Sequence, residues 1–157
     1  MASGFIILSD GRCLARRWTF YDLIFELVIE VLSADQDQDE LKIAFCNWLR
    51  TQIPSSEDIE CGYCFIRPDG ENVVRHFDLR ELTPGNQEIF WKAIQRILIR
   101  DILQPEKDEY DLIRIKVFKI FLRMKKLADR LDHPDNLSDW RKGYTEPPSG
   151  ERVGPGW

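Results

Sequence analysis

Two stretches of this chain follow one pattern, and that pattern constrains the fold more than any other feature. Gly4-Phe5-Ile6-Ile7-Leu8-Ser9-Asp10-Gly11 is echoed by Gly62-Tyr63-Cys64-Phe65-Ile66-Arg67-Pro68-Asp69-Gly70. Each apolar run meets Asp-Gly and returns through a second run that ends in a basic residue and an aromatic, Arg16-Arg17-Trp18 and Arg75-His76-Phe77. Glycine tolerates positive φ and aspartate bonds its neighbouring backbone, so Asp-Gly between apolar runs predicts a β-hairpin. The predicted strands are Gly4–Leu8 with Cys13–Trp18, and Cys61–Arg67 with Asn72–Leu79. With one residue inserted before the second Asp-Gly, Gly4/Gly62, Asp10/Asp69, Gly11/Gly70 and Arg16/Arg75 match identically. Most of these are turn formers. Only Arg16 and Arg75 are not required by turn geometry, and they form a candidate anion-binding pair.

Helical periodicity fills the spaces after each hairpin. Thr19 with Asp22 reads as a capping pair for a helix reaching Leu32, with Ile24, Leu27, Val28 and Val31 on one face. A second helix is expected over Gln38–Thr51, with an acidic start at Asp37 or Asp39 and Leu41, Ala44, Phe45 and Trp48 inward. Thr83-Pro84 starts a third, which carries Phe90, Ala93, Ile94, Ile97 and Leu98 inward to Leu103. Gln104-Pro105 breaks it. The fourth is expected over Lys107–Leu131, with Ile113, Val117, Ile120, Phe121, Met124, Ala128 and Leu131 as its apolar face, and His133-Pro134 stops it. The order is hairpin, helix, helix, hairpin, helix, helix. It predicts an α+β fold in which two β-hairpins form an antiparallel sheet of about four strands with about four helices, and it suggests a ββαα pseudo-repeat. Strand Gly4–Leu8 is apolar on both faces, which places it centrally with both faces covered.

A chain of 157 residues reads as one α+β domain over 1–132. Residues 133–157 are rich in Pro and Gly yet contain Trp140, Tyr144 and Trp157, so this tail is expected to lie partly against the domain. The net charge of −5 opposes free-standing nucleic-acid binding. The run Phe5–Leu8 is too short for a leader or a membrane span. The chain therefore reads as cytoplasmic, with reduced cysteines.

Motifs that carry chemistry are sparse. Cys61-Gly62-Tyr63-Cys64 is a CxxC, but on a continuous strand residues i and i+3 point to opposite faces. A metal set of Cys61, Cys64 and His76 is thus incomplete, and Cys46 reads as core. Of the two histidines, His76 lies on a predicted strand and His133 at a helix end beside Pro134, and a general base needs a nearby partner and a substrate cleft. No phosphate loop, nucleophile elbow or His-Glu-x-x-His occurs, and no cofactor is expected.

Charge is segregated instead. Asp22, Glu26 and Glu30 recur at helical spacing as an acidic ridge, followed by Asp35, Asp37, Asp39 and Glu40. Lys116, Lys119, Arg123, Lys126 and Arg130 form a basic ridge on the last helix. These features point to a non-catalytic protein that binds another macromolecule through charged helix ridges, assisted by Trp140, Tyr144 and Trp157. An acidic inhibitor or immunity-type protein has this character. The expected partner is another protein, or a second copy in a homo-oligomer, rather than nucleic acid or a membrane. One alternative is an anion-binding domain or enzyme with a pocket near Cys61, Cys64, His76, Arg16 and Arg75. Another is RNA binding through the basic ridge.

Overall fold

The computed structural model describes residues 3–11, 13–37, 39–61 and 64–129, with the backbone of Tyr144 and Thr145. The elements run β1 (Ser3–Ile7), β2 (Cys13–Arg17), α1 (Trp18–Ser33), α2 (Glu40–Arg50), β3 (Ile59–Glu60), β4 (Cys64–Ile66), β5 (Asn72–Val74), β6 (His76–Asp78), a short 3-10 turn (Leu79–Glu81), α3 (Pro84–Leu103), α4 (Glu109–Ala128) and β7 (Tyr144–Thr145).

Both Asp-Gly turns form, and in the same way. Gly11 and Gly70 have φ of 87° and 88°. The Gly11 N–H donates to the Leu8 carbonyl at 2.9 Å and the Gly70 N–H to the Arg67 carbonyl at 2.8 Å. A three-residue loop with glycine in the left-handed region is a favoured hairpin connection. The first loop joins β1 to β2 with Phe5 opposite Ala15 and Ile7 opposite Cys13. The second joins β4 to β5 with Phe65 opposite Val73.

Among the described residues the fold is α+β with four helices, but the hairpins stand in different sheets. The run 72–78 divides at Arg75: β5 stays beside β4, whereas β6 crosses to β1 and pairs with it in parallel, Phe5 beside His76 and Ile7 beside Asp78. One sheet has the order β6-β1-β2-β7 and the other β3-β4-β5. The echo therefore covers each turn and the antiparallel pair it joins, but not the sheet to which each pair belongs. The reason lies in β1. Its two apolar faces are both buried, and its two edges are both paired, by β2 and by β6. Ile6 and Leu14 face the main core with Tyr21, Phe25, Phe77, Phe90 and Phe121. Phe5, Ile7, Cys13 and Ala15 form a separate buried cluster on the opposite face.

The helices follow their periodicity with local corrections. β2 runs directly into α1, whose N-cap is Arg17 without a side-chain bond. No loop residue is left for Thr19 to cap, and Asp22 turns into the protein. Asp39 caps α2, accepting from the Leu41 N–H at 2.9 Å. The inward stripe of α2 is Phe45, Cys46 and Leu49, so Leu41, Ala44 and Trp48 are more exposed than predicted. Thr83 caps α3 and Pro84 opens it. Its predicted inward residues Phe90, Ala93, Ile94, Ile97 and Leu98 are all buried. Asp108 and Asp111 form a reciprocal capping box that starts α4. Ile115, Val117, Phe118, Phe121, Met124 and Ala128 are its buried face, while Ile113 is exposed beside the equally exposed end of α3. Arg130, Leu131, His133, Trp140 and Trp157 lie outside the described residues, as does the Tyr144 side chain. The Tyr144–Thr145 backbone pairs with Leu14 and Cys13 as β7.

Candidate functional site

The residue at which the second hairpin divides is also the most deeply buried cation described. Arg75 is 1% exposed. Its carbonyl accepts from the Phe5 N–H at 2.9 Å, which sets it beside Gly4. Its Nε donates to Asp22 Oδ1 at 3.0 Å and its Nη2 to Asp22 Oδ2 at 3.1 Å. Nη1 reaches the Cys64 carbonyl at 3.2 Å and Nη2 reaches Glu60 Oε1 at 3.3 Å. The guanidinium lies 5.0 Å from the Trp18 ring and 5.6 Å from the Phe65 ring. One side chain thus ties α1, β3 and β4 to the edge of the larger sheet. A planar fork of donors is suited to this, because it satisfies two carboxylates and a carbonyl at once.

Burial raises the Asp22 carboxyl, and the bonds and charge of Arg75 offset this only in part. Glu26, one turn along, is also raised, first by burial and then by Asp22. Burial pushes the neighbouring Tyr21 phenol well above its ordinary range, and Asp22 adds to the effect.

Arg16 stands opposite Gly4 on β2, so Arg16 and Arg75 flank β1 at one level. Two strand spacings, about 10 Å, separate them. Both are buried, and Arg16 Nη1 donates to the Ala15 carbonyl at 3.0 Å. The anion that Arg75 meets is the protein's own Asp22.

The two cysteines of the CxxC lie closer than strand alternation predicted. Ile59 pairs with Ile66 and Glu60 with Phe65, so the next step of the ladder sets Cys61 opposite Cys64. The Cys61 N–H donates to the Cys64 carbonyl at 2.9 Å. Residues directly opposite on paired strands project from the same face. The prediction of opposite faces assumed a continuous strand, whereas the chain reverses between the two cysteines. His76 does not join them. It is exposed and alternates with Arg75 and Phe77, so it belongs to the other face of its sheet. Among the described residues, no three His, Cys, Asp or Glu side chains converge as a metal-binding set.

The acidic ridge is consumed only in part, and Glu26 and Glu30 remain exposed. Asp22 is buried on Arg75. Glu30 pairs with Arg100 at 3.0 Å. Asp35 takes both Arg96 nitrogens, at 2.9 and 2.7 Å, and Asp37 takes Lys42 at 2.8 Å. Arg96 and Arg100, four residues apart on α3, are the partners that sequence reasoning missed. Their spacing was the available signal. The Arg96 hydrogen bonds hold the Asp35 carboxyl below the usual aspartate range, against a smaller opposing effect of burial. A folded-state pKa below the unfolded one gives stability that is present at neutral pH and lost as pH falls through the folded value. In an NMR titration Asp35 should therefore titrate below a free aspartate, and Arg96→Ala should return it toward the ordinary value.

The basic ridge remains outward. Lys116, Lys119, Arg123 and Lys126 are exposed, and Lys116, Lys119 and Lys126 form no ion pair among the described residues. Toward the start of α4 the surface becomes apolar, with Tyr110, Leu112 and Ile113 exposed. The end of α3 presents Ile99, Ile102 and Leu103. Arg114 binds Asp101 across the two helices at 2.6 Å, which brings these apolar ends together. The sequence reading assigned Ile113 to the core and missed this patch. The doubled apolar pairs Ile102-Leu103 and Leu112-Ile113 are more than one inward stripe can bury.

Comparison with protein-family models, with curated proteins and with solved structures finds no match to this chain. Among the described residues, no helix is long and apolar enough to cross a membrane.

Proposed function

We propose that this chain is a non-catalytic binding protein that docks an acidic protein partner on the outer face of the α3–α4 hairpin. One observation carries this reading: exposed Leu112 shares the outward stripe of α4 with Lys116, Lys119 and Lys126, and Ile99, Ile102, Leu103, Tyr110 and Ile113 are also exposed at the joined ends of α3 and α4. Contiguous exposed apolar surface marks interaction sites, and an apolar centre with a charged rim is the usual anatomy of a protein interface. The lysines would steer an acidic partner and set its orientation. RNA is the weaker fit, because apolar side chains offer phosphates no donors and the chain is acidic overall, with net charge −5. The acidic ridge is not used in this reading, because Asp22 is buried on Arg75 and does not share an open acidic face with Glu26 and Glu30.

The test is capture from the native source with tagged wild-type protein and a Lys116→Glu, Lys119→Glu, Lys126→Glu variant, compared by quantitative mass spectrometry. Acidic proteins enriched by the wild type should be retained roughly tenfold less by the variant, and the difference should narrow at high salt. Equal capture by both forms, or retention that nuclease abolishes, would overturn the reading.

A further inference from the structure

We propose that Cys61 and Cys64 form a cross-strand dithiol that is converted reversibly to a disulfide by exchange with a small-molecule disulfide of the glutathione type. The inference rests on register. The β3–β4 ladder sets the two cysteines directly opposite, on the face that also carries Ile59 and Ile66. Hydrogen-bonded opposite residues have Cα atoms about 5.5 Å apart, within the span that a disulfide bridges. Each sulfur lies against the other cysteine's carbonyl. Cys61 Sγ lies 3.4 Å from the Cys64 carbonyl and Cys64 Sγ lies 3.7 Å from the Cys61 carbonyl. All four cysteines of the chain are free thiols, and Cys61 alone is exposed, while Cys13, Cys46 and Cys64 are buried.

This asymmetry assigns the roles. The Cys61 thiolate attacks one sulfur of the small disulfide, forms a mixed disulfide and expels the first thiolate. Cys64 then loses its proton and attacks the Cys61 sulfur, which expels the second. Two protein thiols and one small disulfide become one protein disulfide and two small thiols, so atoms and electrons balance. Cys64 suits the resolving role. Its thiol is raised, first by the hydrogen bond to Cys61 and then by burial, and being buried it is reached by the small disulfide only through Cys61. The bond would close a very small loop and constrain the unfolded chain little. Strained or exposed disulfides of this kind are labile and regulatory rather than structural. The adjoining Ile59 and Val74 are exposed and give an incoming disulfide an apolar approach.

The experiment equilibrates the full chain in mixtures of reduced and oxidised glutathione, quenches with acid, alkylates and maps the peptides by mass. Wild-type protein should lose two hydrogens, with Cys61 joined to Cys64, Cys13 and Cys46 still alkylated, and mixed disulfide below about a tenth of the oxidised protein. Cys64→Ser should instead accumulate glutathione on Cys61. Persistent glutathione on Cys61 of the wild type, or two cysteines that alkylate independently at every ratio, would overturn the proposal. The wild-type measurement decides this even where Cys64→Ser does not fold.

Discussion

Replacing Arg75 with alanine should lower stability by about 3–5 kcal/mol, the usual consequence of removing one partner from a buried charge cluster. The Asp22 side chain is 9% exposed, and without Arg75 its carboxylate would be buried and unpaired. Glu60 is less affected, because 42% of its side chain already meets solvent. The variant also loses the donor to the Cys64 carbonyl and the stacking on Trp18 and Phe65 that join the two sheets. Lysine should rescue little, since a single ammonium does not reproduce the fork. Replacing both members, as Arg75→Met with Asp22→Leu, should recover much of the loss, because the desolvation of two charges is removed together. The pH dependence has a definite sign. Burial already raises Asp22, and loss of Arg75 would raise it further. A carboxyl whose folded-state pKa exceeds the unfolded value favours the fold while protonated and opposes it as pH rises. The deficit of Arg75→Ala should therefore shrink in acid and reach its full size above the folded pKa. Urea unfolding followed by circular dichroism at several pH values measures this. A deficit under about 1 kcal/mol at neutral pH would remove Arg75 as the tie between the sheets.

The second large effect is expected at Gly4. A Cβ placed there would stand 2.3 Å from Tyr21 Cγ and 2.7 Å from Tyr21 Cβ. Tyr21 is 2% exposed, and its ring lies 4.7 Å from that of Phe25. The obstructing atoms are the base of a buried ring, which has no room to swing away. Overpacking of this kind costs about 1–3 kcal/mol, and Gly4→Val should lie at or above the top of that range. Gly4→Ala should be milder but still clearly destabilised. Adding Tyr21→Ala to Gly4→Val should recover part of the loss by removing the obstruction, although it opens a cavity of its own. Thermal melts of wild type, Gly4→Val, Tyr21→Ala and the double variant form the cycle. A Gly4→Ala melt at the wild-type temperature would show that α1 shifts freely over the sheet.

Gly4 shows how far the sequence could be read. In the sequence it is half of a matched pair, Gly4 and Gly62, and reads as part of a hairpin signal. Its actual requirement is the close approach of Tyr21, a contact that depends on the α1 path. Signals that act within a few residues were legible: the two Asp-Gly turns, Thr83-Pro84, the Gln104-Pro105 break, and the doubly apolar β1. Arg75 was singled out, but its partner Asp22 lies 53 residues away and was read as part of a solvent-facing ridge. Helical spacing alone does not say which side of a ridge is covered. The cysteine pair was misread for a related reason. Parity along a strand is informative only when the strand's ends are known, and the reversal between Cys61 and Cys64 has no Asp-Gly to announce it.

The crossing of β6 to β1 also shapes how this protein is made. Phe5 and its parallel neighbour His76 are about seventy residues apart in the chain. As the polypeptide leaves the ribosome, β1 and β2 can pair early, because their connection is short. The other side of β1 then waits, with Phe5, Ile6, Ile7 and Leu8 along an open edge, until Asp78 has emerged. Such an edge is a template for pairing with another chain. A nascent chain halted before His76 carries that hazard, and the finished protein removes it with three residues, His76, Phe77 and Asp78.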